Sequence, residues 1–192
     1  MAEGVVAERA LRADAQRNLE AILEAAAEAF AEKGHEACVA DIAKRAGVGQ
    51  ATIFRRFETK DDLIAAVFER KVAQMLDAVR AASRKRSAWE GLREFMGVVT
   101  ELQLRDRGFF QANAQRLIDL PHIKALKQEV HEEVSALVAR AKEEGGLRED
   151  LSAEDIFALS LAAAQAATMG PSPSPRVWRR YLQVVMDGMR AA

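Results

Sequence analysis

The sequence has few of the residues that interrupt helices or cross-link a chain. Its single cysteine, Cys38, excludes an internal disulfide and is typical of a protein from a reducing compartment. Prolines occur in only two places, at 121 and between 171 and 175, and only 11 of the 192 residues are glycine. No stretch shows the sustained apolar–polar alternation of a β-strand. Together these absences predict an all-α fold.

Long apolar runs are missing as well. No run approaches the roughly 20 apolar residues that a membrane-spanning helix needs. The first residues also lack the apolar core of a signal peptide. We therefore expect a cytoplasmic protein that has no membrane partner.

The charge of the whole chain does not indicate a nucleic-acid partner, because the formal net charge is −1. The segment 38–60 differs, since it carries a surplus of three positive charges. A basic patch in a neutral protein allows contact with phosphates without indiscriminate binding. Surpluses of this size are common, so the patch counts as a DNA-binding signal only beside a structural motif.

A motif of that kind lies between 41 and 57, where two short helical patterns are joined by a glycine. The first pattern ends at Gly47, because glycine enters the left-handed conformation without a Cβ penalty. The second pattern has Ile53 and Phe57 four residues apart as its inward stripe. Two such helices form a helix-turn-helix, whose second helix fits the major groove of DNA. The side chains left outward on the second helix are small, polar or basic: Gln50, Ala51, Thr52, Arg55 and Arg56.

The residues at 34–63, G-H-E-A-C-V-A-D-I-A-K-R-A-G-V-G-Q-A-T-I-F-R-R-F-E-T-K-D-D-L, resemble the DNA-binding domain of the TetR/AcrR family of transcriptional regulators. Four positions depart from the family pattern. Cys38 replaces a threonine that caps the second helix, and Gly49 replaces a serine that caps the third. Ala51 replaces a glycine, and Phe54 replaces a tyrosine whose hydroxyl reaches the DNA backbone.

The resemblance implies a homodimeric repressor that a small-molecule effector releases from a palindromic operator in double-stranded DNA. Gln50, Ala51 and Thr52 are then nearest to the base edges, and the glutamine amide matches adenine. Phe54 is expected to pack on the sugar-phosphate backbone or a thymine methyl group. The cations expected at phosphates, which position the protein without reading sequence, are Arg55, Arg56, Lys60, Lys44 and Arg17.

The chain is divided by its patterns into three parts. Residues 1–16 are expected to form a partly ordered extension, 17–58 a three-helix DNA-binding domain, and 59–192 a helical effector-binding and dimerisation domain. About nine helices are expected in all, and Thr59 with Asp62, and Ser152 with Asp155, have the spacing of helix-capping pairs. After the third helix, the predicted spans are 59–82, 88–104, 109–121, 122–144, 153–168 and 176–190.

The last two predicted helices are candidates for a dimer interface, because small residues along 153–168 allow another helix to approach closely. A hairpin within one chain is the alternative. The candidate interface residues are Leu159, Ala162, Ala163, Ala166, Trp178, Tyr181, Val185 and Met189.

The resemblance also implies an effector held among the middle helices, and the apolar character there suggests a hydrophobic or amphipathic molecule. Ordinary core packing is the alternative role of each candidate. Asn113 and Gln165 are the more informative positions, since a polar group on an apolar face needs a partner. The candidate lining residues are Trp89, Phe95, Met96, Phe109, Phe110, Asn113, Arg116 and Gln165.

No pattern in the sequence predicts catalysis, a cofactor or a metal site. His122 and His131 are nine residues apart, which puts them on opposite faces of one helix, and Cys38 has no second thiol nearby. A helical dimerisation or adaptor module that has lost DNA binding is the main alternative function. A small helical enzyme is a more remote one, since no acid–base constellation is present.

Overall fold

A computed structural model describes residues 2–105, 117, 120–169 and 177–191, with side chains from 14 onwards. These residues form eight α-helices and one short 3-10 turn. No strand is present among them, and an isolated bridge joins Leu147 to Arg190. The all-α prediction is therefore confirmed for the described chain.

Four helices make up the N-terminal half: α1 (Ala2–Lys33), α2 (Val39–Ala46), α3 (Gln50–Phe54) and α4 (Lys60–Ser83), with the 3-10 turn Gly34–Glu36 after α1. The partly ordered extension over residues 1–16 stays a prediction, but the first helix starts earlier than expected, at Ala2 rather than near Arg17. This segment is rich in alanine, glutamate and arginine, all good helix formers, and contains no proline. Nothing in it therefore stops the helix.

The helix α3 is shorter than the sequence suggested. Its last helical residue is Phe54, and the next two residues form a turn. The Arg55 amide bonds the Ala51 carbonyl at 3.1 Å, and the Arg56 amide bonds the Ile53 carbonyl at 3.0 Å. The backbone thus continues through one further hydrogen-bonded turn, which keeps both arginines beside the helix.

The C-terminal half contains α5 (Ala88–Arg105), α6 (Pro121–Glu143), α7 (Ala153–Met169) and α8 (Val177–Met189). Each begins and ends within one residue of its predicted span. The predicted helix over 109–121 and the proline-rich loop over 170–175 lie almost wholly outside the described residues.

Two compact units are distinguishable, and the boundary between them falls within α4, after Arg70. The core of the first unit contains Phe30, Ile42 and Ile53, each at most 2% exposed. The core of the second contains Leu92 and Ile123, which are fully buried. The predicted boundary between 58 and 59 stays a prediction.

Both predicted capping pairs are confirmed. The Thr59 amide donates to Asp62 Oδ2 at 2.9 Å, and the Asp62 amide donates to Thr59 Oγ1 at 3.1 Å. Ser152 and Asp155 make the equivalent bonds at the start of α7. Each pair satisfies amide groups that have no partner within the helix.

Candidate nucleic-acid interface

The turn between α2 and α3 begins at the predicted glycine. Gly47 has a φ of +67°, in the left-handed region, and the amide of Val48 bonds the Ala43 carbonyl at 3.0 Å. The predicted inward stripe is also buried, since Ile53 of α3 is 1% exposed and Phe57, just after the following turn, is 8% exposed. The helix-turn-helix is thus fixed from beneath by apolar packing.

The outer side of α3 carries the side chains predicted to face DNA. Gln50 and Ala51 are exposed, Thr52 is half-buried, and Phe54 is 50% exposed. A phenyl ring that is half exposed gains little from the protein core, so it is available to pack on a partner. A short polar and apolar surface of this kind matches the base edges of a major groove.

Two arginines complete this outer side. Arg55 and Arg56 are both exposed, and Arg55 Nη2 donates to Thr52 Oγ1 at 3.2 Å. No described carboxylate lies within ion-pair distance of either guanidinium. Their charge therefore remains available to an external anion.

Other cations of this unit are used within the protein. Arg45 forms a two-point ion pair with Glu32 of α1, at 3.0 and 2.5 Å, and Lys33 Nζ lies 2.9 Å from Asp41 Oδ2. The hydrogen bond from Arg45 lowers the pKa of Glu32, and that from Lys33 lowers the pKa of Asp41. Glu32 and Arg45 are thirteen residues apart, so no local pattern in the sequence indicates this pair.

The remaining predicted phosphate contacts differ in their availability. Lys44 is exposed, while Arg17 is exposed and paired with Asp14 one turn away. Lys60 is half-buried: its Nζ donates to the carbonyl of His35 and lies 5.9 Å from the centre of the Phe30 ring. That Lys60 serves a phosphate stays a prediction, and such a contact would compete with its bond to His35.

Two of the departures from the family pattern leave α2 and α3 without a side-chain N-cap. Cys38 is the N-cap of α2 and Gly49 is the N-cap of α3, and neither makes a side-chain hydrogen bond there. Serine, threonine, aspartate or asparagine at an N-cap binds a free amide of the first turn. These amides therefore have no partner from a capping side chain.

The residues predicted to line an effector site lie in several environments. Phe95 and Met96 are fully buried, and Phe95 meets Phe157 edge-on at 6.1 Å between ring centres. Trp89 is half-buried, with the Arg190 guanidinium 4.9 Å from its ring centre, and Gln165 is exposed on α7 rather than turned to an apolar interior. The other four candidates lie outside the described residues: Phe109, Phe110, Asn113 and Arg116.

One buried polar contact in this unit was not predicted. Thr100 of α5 and Ser160 of α7 are both fully buried, and Thr100 Oγ1 donates to the Ser160 carbonyl at 3.3 Å. The Ser160 hydroxyl in turn donates to the Ile156 carbonyl at 2.7 Å. Hydrophobic periodicity and composition do not reveal such a pair, because the partners are sixty residues apart in the sequence.

The predicted dimer residues divide into core and surface. Three are buried within the chain: Ala163, Trp178 and Met189. Leu159 and Val185 are half-buried, while Ala162, Ala166 and Tyr181 are exposed. Two further apolar side chains, which were not among the predicted interface residues, are also exposed, Met169 at 83% and Val184 at 64%. The end of the chain thus presents apolar surface on both α7 and α8.

None of the helices in the described part of the chain is long and apolar enough to cross a bilayer. No group of three or more histidine, cysteine, aspartate or glutamate side chains within it is arranged to hold a metal ion.

Comparison with known families covers both halves of the chain. Residues 22–67 match the model described as bacterial regulatory proteins, tetR family. Residues 87–191, more than half of the chain, match the model described as transcriptional regulator SbtR-like, C-terminal domain.

Individual relatives agree with these matches. The TetR transcription regulatory protein from Mycobacterium vanbaalenii is 30% identical, with a TM-score of 0.72 over 94% of this chain and 99% of that one. The fatty acid metabolism regulator protein of Bacillus subtilis is 31% identical over 99 residues, which are 44% of this chain and about half, 51%, of that protein. The transcriptional regulator FadR from Bacillus subtilis shares the fold, with 22% identity and a TM-score of 0.63 over 89% and 99% of the two chains. The chain belongs to the TetR family of bacterial transcriptional regulators, and its helix-turn-helix is the DNA-binding element of that family.

Proposed function

We propose that this regulator is a homodimeric repressor that binds a palindromic operator and leaves it when a small hydrophobic or amphipathic effector binds the C-terminal unit. The observation that supports DNA reading most strongly is the outer side of α3, where Arg55 and Arg56 have no described acidic partner. Such a protein acts in the cytoplasm, beside the chromosome, and needs no catalytic step.

The side chains on and just after α3 have different roles in DNA recognition. Gln50 presents a donor and an acceptor, which together match the N6 and N7 edge of adenine. The arginines bind phosphates, which hold the helix in register but carry no sequence information. The exposed ring of Phe54 packs on a sugar or a thymine methyl group, without the hydroxyl that a tyrosine would offer.

A second copy of the chain supplies selectivity, because one recognition helix touches too few base pairs to specify a site. Exposed Tyr181 and Val184 on α8, with Ala162 and Ala166 on α7, provide an apolar surface for that copy. Two such subunits read half-sites about 34–36 Å apart, or a multiple of that spacing.

The effector class follows from the relatives and from the apolar interior. The Bacillus subtilis relative is named as a fatty acid metabolism regulator, and the FadR with the same fold was crystallised with stearoyl-CoA. Buried Phe95 and Met96 give the interior of the second unit an apolar character that suits an acyl chain. An acyl-CoA or a related amphipathic metabolite is therefore the first class to test.

The experiment begins by mapping the genomic DNA that the chain binds, and then measures binding of that DNA by fluorescence anisotropy. We expect a palindromic site, an affinity that falls steeply with salt, and weaker binding when acyl-CoA esters of increasing length are added. Salt-dependent binding that no ester changes would refute this effector class alone. A chain that binds no duplex would instead support a helical dimerisation or adaptor module.

A further inference from the structure

A small cavity lies between α1 and α3 in the first unit, on the side that carries the arginines. Its volume is about 280 Å³, and α1 contributes Asn18, Leu19 and Ile22 to its wall. The opposite wall consists of Thr52 and the two arginines that follow α3. The cavity therefore joins the recognition helix to a helix that the sequence analysis linked to DNA only through Arg17.

The chemistry of the lining selects an anion. Ile22 is buried and forms an apolar floor, whereas Asn18, Arg55 and Arg56 are exposed and can donate hydrogen bonds. The lining contains no carboxylate. Two guanidinium groups beside a neutral amide, without an acid among them, leave a positive field that an anion would neutralise.

Two ion pairs neutralise other cations of the same unit. The cations Arg45 and Lys33, in the same unit, are neutralised by Glu32 and Asp41. Arg55 and Arg56 at the cavity, by contrast, have no described acidic partner.

The size of the cavity limits the occupant. Pockets for cofactors and drug-sized ligands occupy about 300–1,000 Å³. A cavity at the lower limit, open to solvent beside the recognition helix, suits one phosphate group with part of its sugar better than a multi-ring ligand. Duplex DNA presents such groups continuously along the groove that α3 would enter.

We propose that this cavity holds one phosphate of the operator backbone, and that Asn18 donates a side-chain amide hydrogen to it. The first helix then takes part in DNA binding through a neutral side chain. The inference rests on the proposed DNA-binding function, and adds to it a contact outside the helix-turn-helix. Asn18 positions the phosphate between its amide and the arginines, and it reads no base.

The test uses the full chain and the best-bound genomic duplex, prepared with a single neutral methylphosphonate at each backbone position in turn. At one position in each half-site, the methylphosphonate should cost the native chain more affinity than it costs Asn18→Ala, which keeps only the arginine contacts to that phosphate. Asn18→Ala should itself bind roughly ten-fold more weakly for each half-site, as expected for a lost hydrogen bond to a charged group. Asn18→Asp should bind more weakly still, because it places a negative charge in the cavity.

Two comparisons separate this role from a structural one. Asn18→Ala should leave the salt dependence of binding unchanged, since an amide releases no counterion, whereas Arg56→Ala should make it shallower by about one phosphate for each bound subunit. Gln16→Ala is the matched control, because Gln16 is an exposed amide on the same helix that bonds Glu20 instead. It should bind as the native chain does.

The outcomes are distinct. If Asn18→Ala and the native chain lose affinity equally at every methylphosphonate position, the assigned contact is overturned while DNA binding stands. If the amide signals of Asn18 respond to inorganic phosphate but not to the duplex, the cavity binds a free anion and the assignment is also overturned. If the native chain binds no duplex, the proposed function fails, and this contact fails with it.

Discussion

Arg45 and Glu32 face each other across α1 and α2 and are joined at two points, with N–O distances of 3.0 and 2.5 Å. Such a bidentate pair fixes orientation as well as distance. A second ion pair also joins α1 to α2, with Lys33 Nζ 2.9 Å from Asp41 Oδ2. These two solvent-exposed ion pairs add to the apolar packing that fixes the helix-turn-helix from beneath.

These pairs predict how stability changes with acid. The folded pKa values of Glu32 and Asp41 lie below the ordinary 4.5 and 3.8, because Arg45 and Lys33 hydrogen-bond their charged forms. A lowered folded pKa stabilises the fold at higher pH, and that contribution is lost as pH falls through the folded pKa. The free energy of unfolding should therefore decline below about pH 4.5, with part of the decline due to these two groups.

Urea unfolding of the full chain between pH 7 and pH 3 checks this expectation. The double variant Glu32→Gln with Asp41→Asn should be less stable at pH 7 and should lose less of its unfolding free energy as the pH falls. If the unfolding free energies of the two proteins fell in parallel with pH, neither pair would contribute to the acid dependence of stability.

Close packing of α5 on the end of α4 predicts a sharp contrast between two glycines of the same helix. A Cβ at Gly91 would lie 2.5 Å from the carbonyl oxygen of Ala82, a backbone atom that cannot turn aside. At Gly97 the nearest atom would be Leu182 Cδ2 at 4.0 Å. We expect Gly91→Ala to destabilise the fold by about 1–3 kcal/mol or more. Gly97→Ala should stabilise it by about 0.5–1 kcal/mol. Thermal unfolding of both variants measures the difference, and equal effects would contradict the packing.

The unfilled N-caps predict gains in stability. Cys38→Ser places a hydroxyl where α2 has no side-chain cap, and should add about 0.5–1 kcal/mol. Gly49→Ser meets only Thr52 Oγ1, at 4.0 Å, so it fits without strain and should add a few tenths of a kcal/mol from the cap, which is roughly the serine–glycine difference. Chemical denaturation measures both, with Cys38→Ala as the control that lacks a cap. A gain by Cys38→Ala equal to that of the serine would exclude capping as the cause.

The apolar surface of α8 predicts a variant that separates subunits. Val184 is 64% exposed in the single chain, so a charge there should change the stability of the monomer little. Buried against an identical copy, the same charge would have no partner and would weaken association. We expect Val184→Glu to shift the chain from dimer to monomer in analytical ultracentrifugation, with its helical circular dichroism retained.

Ala125→Glu serves as the control, because Ala125 is exposed on α6, outside the predicted interface. It should leave the mass unchanged. A Val184→Glu protein that remains dimeric would remove α8 from the interface.

Much of the fold could be predicted because its signals are local. Glycine at the left-handed position ended α2, and the pair Thr59 and Asp62 began α4 where their spacing indicated. Apolar residues every three or four positions identified Ile53 and Phe57 as buried. Each of these signals depends on residues within a few positions of one another, which a sequence displays directly.

The features that were missed depend on distant residues. Lys60 bonds a carbonyl 25 residues earlier, at His35, although the family resemblance implied that it binds a phosphate. The part of α1 before 17 was missed for another reason, since its apolar residues have no regular stripe even though its composition favours a helix. The cavity beside Asn18 exists only because α1 and α3 meet, and no pattern within either helix indicates it.

The central claim is that α3 reads bases while the arginines beside it hold phosphates. The most direct measurement compares Gln50→Ala and Arg56→Ala on the mapped site, on its single-base variants and on random duplex over a range of salt. Arg56→Ala should weaken binding to all of these sequences and make the salt dependence shallower by about one phosphate for each bound subunit. Gln50→Ala should lose about 1–3 kcal/mol of discrimination at one base pair and keep the native salt dependence. Binding by both variants that equals the native chain on every duplex would contradict the account.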